Sequence, residues 1–560
     1  MERRLLRWPV GEANAAEQAL PYGASRPIGR RVAAAIGLLL STFAAHGASN
    51  EPPAGPTPAA FERALDDAVA RYRLPGIAAG VVVDGEVVWQ AARGERIAGS
   101  GDKIDADTLF KIASNSKAMT AAVLARLVDA GKLEWDDPVV KYLPDFRMHD
   151  PWVTQQMQVR DLLIHNSGLG AGAGDLMLWP DPNLFTRAEV IHGLRHLAPV
   201  YSFRSRYAYD NTLYIVAGEV AAAAGGARYE TLVRRELFGP LGLRRCQVGE
   251  WNRDAVGNVA QPHALRDGRY VPSRVDGDTI PNVPMMAAGG IRCSLRDMLA
   301  WARMWLAPDR FGLVDGKPWL SQAQREEVWR AHTIMPLGQR MRDWDDSHFS
   351  AYGYGWRLTD VDGTWKVSHT GTLGGMYSAL TLLPERHAGF VLLINGDADD
   401  ARTVLGQVLV KLFTAPGSKP TVAGYAARLA AEQAHAAATA PVPDTSDRVP
   451  ATASDLGRSA GVYRDPWFGE ASVCPEAGKL VFRAAKSPKM VGDVMRSGDR
   501  LLVQWQQPDV DQEPWLSPLP AAADAPARMT MARIDPDGDF SSDYQDLAFE
   551  RIRDCPRAPL

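Results

Sequence analysis

The sequence predicts an α/β domain, with an antiparallel sheet flanked by helices, followed by a small all-β barrel or sandwich. Three observations carry this expectation. A helix and a strand hairpin open the main domain near residues 61–91. Strand patterns return at 351–396, after a stretch of helices. Short strands at near-regular spacing then run from about residue 454 onward. Helices between strands from both ends imply one sheet that unites those ends. The chain has 560 residues, beyond the ~250–300 at which single cores stop growing, so at least two domains are expected.

Each element has a local reason. Residues 61–73, FERALDDAVARYR, place apolar side chains at helical spacing, and Pro75-Gly76 ends the segment. IAAGVVV and EVVWQAA flank Asp84-Gly85, a strong hairpin signal. Residues 111–131 read as a helix closed by Gly131, and 212–225 and 294–306 as two more. YGYGWRLTDVDGTWKV and SALTLLPERHAGFVLLIN read as strands. Composition shifts after about Pro416: AGYAARLAAEQAHAAATA reads as one helix and PVPDTSDRVP as a linker. GVYRD, EASVCP, GKLVFRA, DRLLVQWQ, ARMTMARI and YQDLAFERI then read as short strands divided by turns. The expected division is a leader at 1–50, a main domain at 51–415, a linker at 416–453 and a β domain at 454–560.

Arg26, Arg30 and Arg31 precede an apolar run, VAAAIGLLLSTFAA, and small residues Ala45-His46-Gly47-Ala48-Ser49 follow. That is the layout of a secretory signal. The run of about fourteen is shorter than the ~20 residues of a membrane span. The expectation is a secreted, periplasmic protein; an uncleaved anchor or a chance apolar patch is the alternative. No later segment reaches the length of a span, so no stable membrane span is expected apart from the leader.

Hydrophobic residues at 46% and charged residues at 23% exclude a largely disordered or collagen-like chain. With 62 basic against 66 acidic residues, no electrostatic basis for a nucleic-acid partner exists. Four cysteines are too few for a disulfide scaffold. An oxidising compartment permits Cys474 and Cys555 to pair, which sequence alone leaves open.

The chemistry lies in Phe110-Lys111-Ile112-Ala113-Ser114-Asn115-Ser116-Lys117. Ser114 and Lys117 are three apart, so on a helix their side chains meet on one face. A serine hydroxyl is a poor nucleophile until a base takes its proton, and a buried lysine with a lowered pKa assists that transfer. The start of a helix adds N–H groups that favour a developing oxyanion. Alone, S-x-x-K is a weak signal.

Its surroundings sharpen it. FKIASNSKAMTAAVLARLVDAGKLEWDDPVVKYLPDF, VRDLLIHNSGL, Tyr209-Asp210-Asn211 within YAYDNTLYIVAGEV, AAGGIRCSLRDMLAW, and His369-Thr370-Gly371 within VSHTGTLGGMYSALTLLPE occur in this order. Over roughly residues 60–415 the chain resembles the serine beta-lactamase and penicillin-binding-protein superfamily, on its class C beta-lactamase, peptidase S12-like side. The resemblance implies a beta-lactamase-like α/β fold with a helical lobe and the active site between sheet and lobe. It implies that Ser114 forms an acyl-enzyme, with Lys117 or Tyr209 as its base. Asn211, with His369, Thr370 and Gly371, would bind and orient substrate, and the backbone N–H groups of Ser114 and Thr372 would form the oxyanion hole. No metal and no cofactor are implied, and the expected partner is a small-molecule or peptide substrate.

Three departures bear on specificity. Where beta-lactamases and transpeptidases carry lysine, this chain has His369, as in esterase, D-amino-acid peptidase and amide-hydrolase relatives. Phe203-Arg204 stands where Pro-Gly is usual before the tyrosine motif. Thr372-Leu373-Gly374-Gly375-Met376 stands in place of the usual Gly-x-Pro-Gly-Phe. The expected activity is therefore cleavage of an amide or ester in a small peptide, a D-amino-acid compound or a carboxylic ester. A true beta-lactamase or D-Ala-D-Ala carboxypeptidase is the alternative. A catalytically dead scaffold would be marked by loss of a motif, yet Ser114, Lys117, Tyr209 and Asn211 are all present.

Residues 454–555 resemble a lipocalin-like β-barrel domain through GVYRDPWFGEASVCPEAGKLVFRA. His192 and His196 read as a surface or packing pair rather than zinc ligands, since no H-E-x-x-H accompanies them. Asp535-Pro536-Asp537-Gly538-Asp539 reads as a hairpin turn, and His165 as structural. The absence of G-x-S-x-G disfavours an α/β-hydrolase.

Overall fold

The computed structural model describes residues 55–556 apart from 274, 509 and 521–525. The expected export signal lies outside the described residues. Helix α1 (Pro58–Tyr72) opens with proline at its first position, where a missing N–H is tolerated. Its Phe61, Ala64, Leu65 and Ala68 form one buried face. Burying a side chain such as Phe61 or Leu65 contributes roughly 1.5–3 kcal/mol. The helix stops at Arg73, which is left-handed (φ 51°). Strands β1 (Gly76–Val83) and β2 (Glu86–Gly94) turn through Asp84 and Gly85, both at positive φ, as a two-residue hairpin needs.

Helices α2 (Ser116–Asp129), α3 (Thr212–Gly225) and α4 (Leu295–Leu306) follow. The predicted helix at 111–131 therefore begins later than expected. Leu109–Lys111 pair as a short strand with 292–294, and Ala113–Asn115 form a 3-10 turn before α2. The later strands are β3 (Thr333–Ile334), β4 (Ser350–Tyr352), β5 (Arg357–Val361), β6 (Thr364–Thr372), β7 (Tyr377–Leu383) and β8 (Ala388–Ile394). Helices α5 (Asp399–Thr414) and α6 (Val422–Thr439) complete the region.

The antiparallel sheet runs β3-β4-β5-β6-β7-β8-β1-β2. Its two chain ends meet where Ile77 lies opposite Ile394 and Val83 opposite Ala388. Alternate residues of β1 serve different layers. Ile77, Ala79 and Val81 join the apolar cluster of α1, α5 and α6, whereas Ala78 and Val82 join that of α2, α3 and α4. The Ala-rich helix α6 buries Val422, Tyr425, Ala426 and Leu429, so the first half of the expected linker packs on this domain.

The C-terminal strands are β9 (Gly461–Asp465), β10 (Gly469–Glu476), β11 (Lys479–Ala484), β12 (Val491–Ser497), β13 (Arg500–Trp505), β14 (Pro514–Leu519), β15 (Arg528–Arg533) and β16 (Phe549–Arg553). They pair in the order β12-β11-β10-β9-β16-β15-β14-β13, and β13 pairs back onto β12, which closes an eight-stranded barrel. Cys474 pairs with Cys555 in this domain. A second disulfide, Cys246–Cys293, lies in the main domain and had no signal in the sequence.

The barrel docks on the helices. Leu184 N donates to the Lys486 carbonyl at 2.8 Å, Lys486 pairs with Glu189, and the Phe185 and Phe468 rings lie 5.8 Å apart. One apolar cluster continues from the helices into Tyr463, Trp467 and Phe468 of the barrel. Among the described residues no helix is long and apolar enough to cross a membrane.

Candidate active site

Ser114 sits on the 3-10 turn rather than within α2, and the preceding Ala113 is left-handed (φ 47°). That conformation costs a non-glycine residue roughly 1–2 kcal/mol, and such strain gathers at functional sites. Lys117, one residue into α2, is fully buried. Its ammonium donates to Ser114 Oγ (3.2 Å), Asn211 Oδ1 (2.7 Å) and the Ala288 carbonyl (2.9 Å). Burial pulls its pKa down to about 7, and the Arg357 charge acts the same way, against an upward pull from Asp175 and Asp210.

Tyr209 lies in the loop before α3, and its hydroxyl donates to Ser114 Oγ at 2.9 Å. Lys117 Nζ is 4.8 Å from the centre of its ring. Burial raises the phenol's pKa, only partly offset by Arg357 and the bond to Ser114. Ser114, Lys117 and Tyr209 are thus brought together, with an amine poised to lose its proton and a phenol that keeps one.

Asn211 precedes α3, and its side chain does not cap the helix. Its Oδ1 faces Lys117, while its Nδ2 donates to Asp175 Oδ2 at 2.8 Å. Both ends of the amide are therefore engaged inside the protein.

His369, Thr370, Gly371 and Thr372 end strand β6. Gly371 is explained by contact: a Cβ there would lie 2.2 Å from the Ile112 carbonyl and 3.0 Å from Ala113 Cβ. Only glycine lets this strand lie against the turn that carries Ser114. Ser378 of β7 holds the same junction, accepting from Asn115 Nδ2 (2.8 Å) and donating to the Ile112 carbonyl (2.7 Å). Thr372 stands opposite Tyr377, and Arg402 donates to its hydroxyl and to the Gly371 carbonyl, which steadies the end of the strand.

His369 is buried and both ring nitrogens are occupied, Nε2 with Tyr352 OH (2.9 Å) and Nδ1 with the Thr370 carbonyl (2.7 Å). Burial and the charges of Arg357 and Lys117 push its pKa well down, so the ring is neutral. Charge comes from Arg357 instead. Its guanidinium donates to Thr370 Oγ1 at 2.9 Å and lies 5.9 Å from the Tyr209 ring centre.

The departing segments also have physical accounts. Arg204 takes the left-handed conformation that favours glycine (φ 62°), held there by its ion pair with buried Asp161 at 2.6 Å. Met376 is fully buried, with its sulfur 3.3 Å from Lys111 N. His165 is enclosed by Tyr207, Tyr209, Tyr214 and Tyr352 and accepts from Asp210 N. The rings of His192 and His196 are 5.7 Å apart.

Sequence reasoning missed Asp175, Arg357, Ser378 and Arg402. Each joins the site through tertiary contacts, and none belongs to a spaced motif.

The chain is similar to the unguisins hydrolase ungD of Aspergillus violaceofuscus (strain CBS 115571), 27% identical over 356 residues, covering 60% of this chain and 60% of that protein. It is similar to esterase EstB of Burkholderia gladioli, 33% identical over 233 residues, covering 38% of this chain and 58% of that protein. The match thus spans less than two thirds of the length of either relative. In fold it is similar to the octameric penicillin-binding protein homologue from Pyrococcus abyssi, with a TM-score of 0.54 and 19% identity, over 88% of this chain and 99% of that one. Residues 61–413, more than half of the sequence, match the Beta-lactamase family, and the chain belongs to that family.

Proposed function

We propose that this protein is a serine hydrolase that cleaves an amide or ester of a small substrate through an acyl-Ser114 intermediate. The observation that carries the reading is Ser114 Oγ held between a buried lysine at 3.2 Å and a tyrosine hydroxyl at 2.9 Å. Ser114 Oγ attacks the carbonyl carbon, and its proton passes to neutral Lys117. The oxyanion faces the backbone N–H groups of Ser114 and Thr372. The bond to the leaving group breaks as Tyr209 supplies a proton to the departing oxygen or nitrogen. Lys117 returns its proton to the Tyr209 phenolate; water then gives a proton to Lys117 as it attacks the acyl carbon, the bond from that carbon to Ser114 Oγ breaks, and the proton passes back to Oγ as the acid leaves. Lys117, with a pKa near 7 against a raised Tyr209, is the better base.

Neutral Lys117 is needed, so activity rises with pH as the amine sheds its proton. The expected profile of kcat/KM has an ascending limb at about pH 7. A loss of the phenolic proton sets in only well above the ordinary tyrosine range. A steady-state profile with an ester substrate checks this.

Arg357 supports a substrate that carries a carboxylate near the scissile bond, because it is the cation beside Thr370 and Tyr209. This favours small peptides with a free C-terminus, and it keeps open the second reading, a beta-lactamase or D-Ala-D-Ala carboxypeptidase. Arg357→Ala is expected to raise KM for carboxylate-bearing substrates about tenfold or more, with little change for a neutral ester. Equal effects on both substrates would remove Arg357 from substrate binding. Turnover of a p-nitrophenyl ester against a chromogenic cephalosporin separates the two readings. Efficient cephalosporin turnover without ester cleavage favours the second. Export to the periplasm remains part of the proposal, and two disulfides, Cys246–Cys293 and Cys474–Cys555, support an oxidising compartment.

A further inference from the structure

The loop between β15 and β16 leaves the barrel and enters the catalytic region. Phe540 lies edge-on to Tyr209, with ring centres 5.6 Å apart. Its carbonyl approaches Gly172 so closely that a Cβ there would lie 2.4 Å away, and Gly172 N donates to the Tyr209 carbonyl. Asp543, fully buried, accepts from Gly174 N (2.6 Å) and Leu176 N (3.0 Å). It therefore grips both sides of Asp175. Ser541 Oγ donates to Asp175 Oδ2 at 2.8 Å. Asp175 accepts from Asn211 Nδ2, and Asn211 Oδ1 receives the Lys117 ammonium.

We infer that this barrel loop is a positioning element of the active site: through Ser541, Asp175 and Asn211 it holds Lys117 against Ser114. The inference rests on the serine-hydrolase reading above. The path consists of consecutive hydrogen bonds of 2.8, 2.8 and 2.7 Å among buried groups. Each bond fixes the next group. In its ionised form Asp175 selects the amide orientation of Asn211 that turns its oxygen toward the amine, because a carboxylate accepts only from the NH₂ end. A barrel that merely packed on the helices would need no buried acid and hydroxyl aimed at this residue. The energetic reason for a fixed partner is the same: a buried carboxylate without a donor is costly.

The expected signature is a pH effect. Lys117 is faced by Asp175 and Asp210, by Arg357, by Tyr209 and Tyr214, and by His165 and His369. Asp175 is faced in turn by Asn211, Ser541, Lys117, Asp539 and Asp543. Burial raises the Asp175 pKa to about 7, and the hydrogen bonds from Asn211 and the Ser541 hydroxyl pull it back toward the ionised form. Without that hydroxyl, Asp175 is neutral over a wider pH range, less negative charge faces Lys117, and the amine loses its proton at lower pH.

The test measures kcat and KM for p-nitrophenyl butyrate across about pH 5 to 10 in full-length wild type, Ser541→Ala, Ser541→Thr and Ser114→Ala, with melting temperatures. In Ser541→Ala the ascending limb is expected to move to lower pH by about half a unit or more, and kcat to fall about three- to tenfold, with KM little changed. Ser541→Thr, which keeps the hydroxyl, restores both. An unmoved limb with kcat within about twofold of wild type overturns the inference, whatever the melting temperature does. So does an equal loss in Ser541→Thr. Turnover that survives Ser114→Ala overturns the serine reading and this inference with it. Loss in Ser114→Ala together with an unaffected Ser541→Ala overturns the loop's role alone.

Discussion

Replacing Ser114 with alanine is expected to lower kcat for every ester or amide substrate by at least about 10⁴-fold. The size follows from the reaction path. Without Oγ no acyl-enzyme forms, and what remains is whatever direct attack by water the oxyanion donors support. The variant should fold as wild type does. Ser114 is half-buried, its neighbours on the 3-10 turn are held by Ser378 through Asn115 and Ile112, and alanine tolerates the local backbone. Steady-state kinetics with a p-nitrophenyl ester and a thermal melt check both halves. A variant that melts normally yet retains more than about a hundredth of wild-type kcat would place the nucleophile elsewhere.

The second large effect belongs to Lys117. Methionine at this buried position of α2 is of similar length but cannot accept a proton. The expected loss in kcat is about 10³- to 10⁴-fold, the upper range for a positioned general base. Stability should change far less, with the melting temperature within about 4 °C of wild type. Burial opposes the lysine charge, so the folded protein holds this proton less tightly than the unfolded chain does. Between about pH 7 and the ordinary lysine range the unfolded state therefore binds more protons, and wild-type stability rises with pH there. The variant loses that rise. Lys117→Arg should not rescue activity, because guanidinium does not give up its proton near neutral pH. A Lys117→Met enzyme within tenfold of wild type would shift the base to Tyr209.

Much of the fold was legible because its signals are local. Asp84-Gly85 announces a two-residue hairpin by backbone preference alone, and Phe61, Leu65 and Ala68 announce a helix face by spacing. Ser114 and Lys117 were legible because three residues separate them. Their setting was not. The strand pairing of Leu109–Lys111 with 292–294 comes from contacts about 180 residues away, and together with the left-handed Ala113 it displaces the predicted helix start.

The groups that join the site from elsewhere in the chain were hidden for the same reason. Ser541 and Asp175 are 366 residues apart, and nothing in the sequence around Asp175 resembles a motif. The stretch Asp535–Asp539 reads as a turn, and the turn leads into the loop that brings Ser541 to Asp175. Arg357 was hidden because it belongs to no spaced motif and reaches the His369-Thr370-Gly371 segment only through the pairing of β5 with β6. The structure puts a neutral histidine there and brings the cation from β5. Arg204 shows the converse: a residue unlike glycine holds a glycine-like backbone because an ion pair offsets the strain.

Intact-mass spectrometry after reaction with a fluorophosphonate tests most directly whether Ser114 is an activated nucleophile. One adduct per chain is expected on folded wild type, mapped to Ser114 by peptide digestion and absent from folded Ser114→Ala. No adduct on folded wild type, or an adduct that persists in Ser114→Ala, would contradict it.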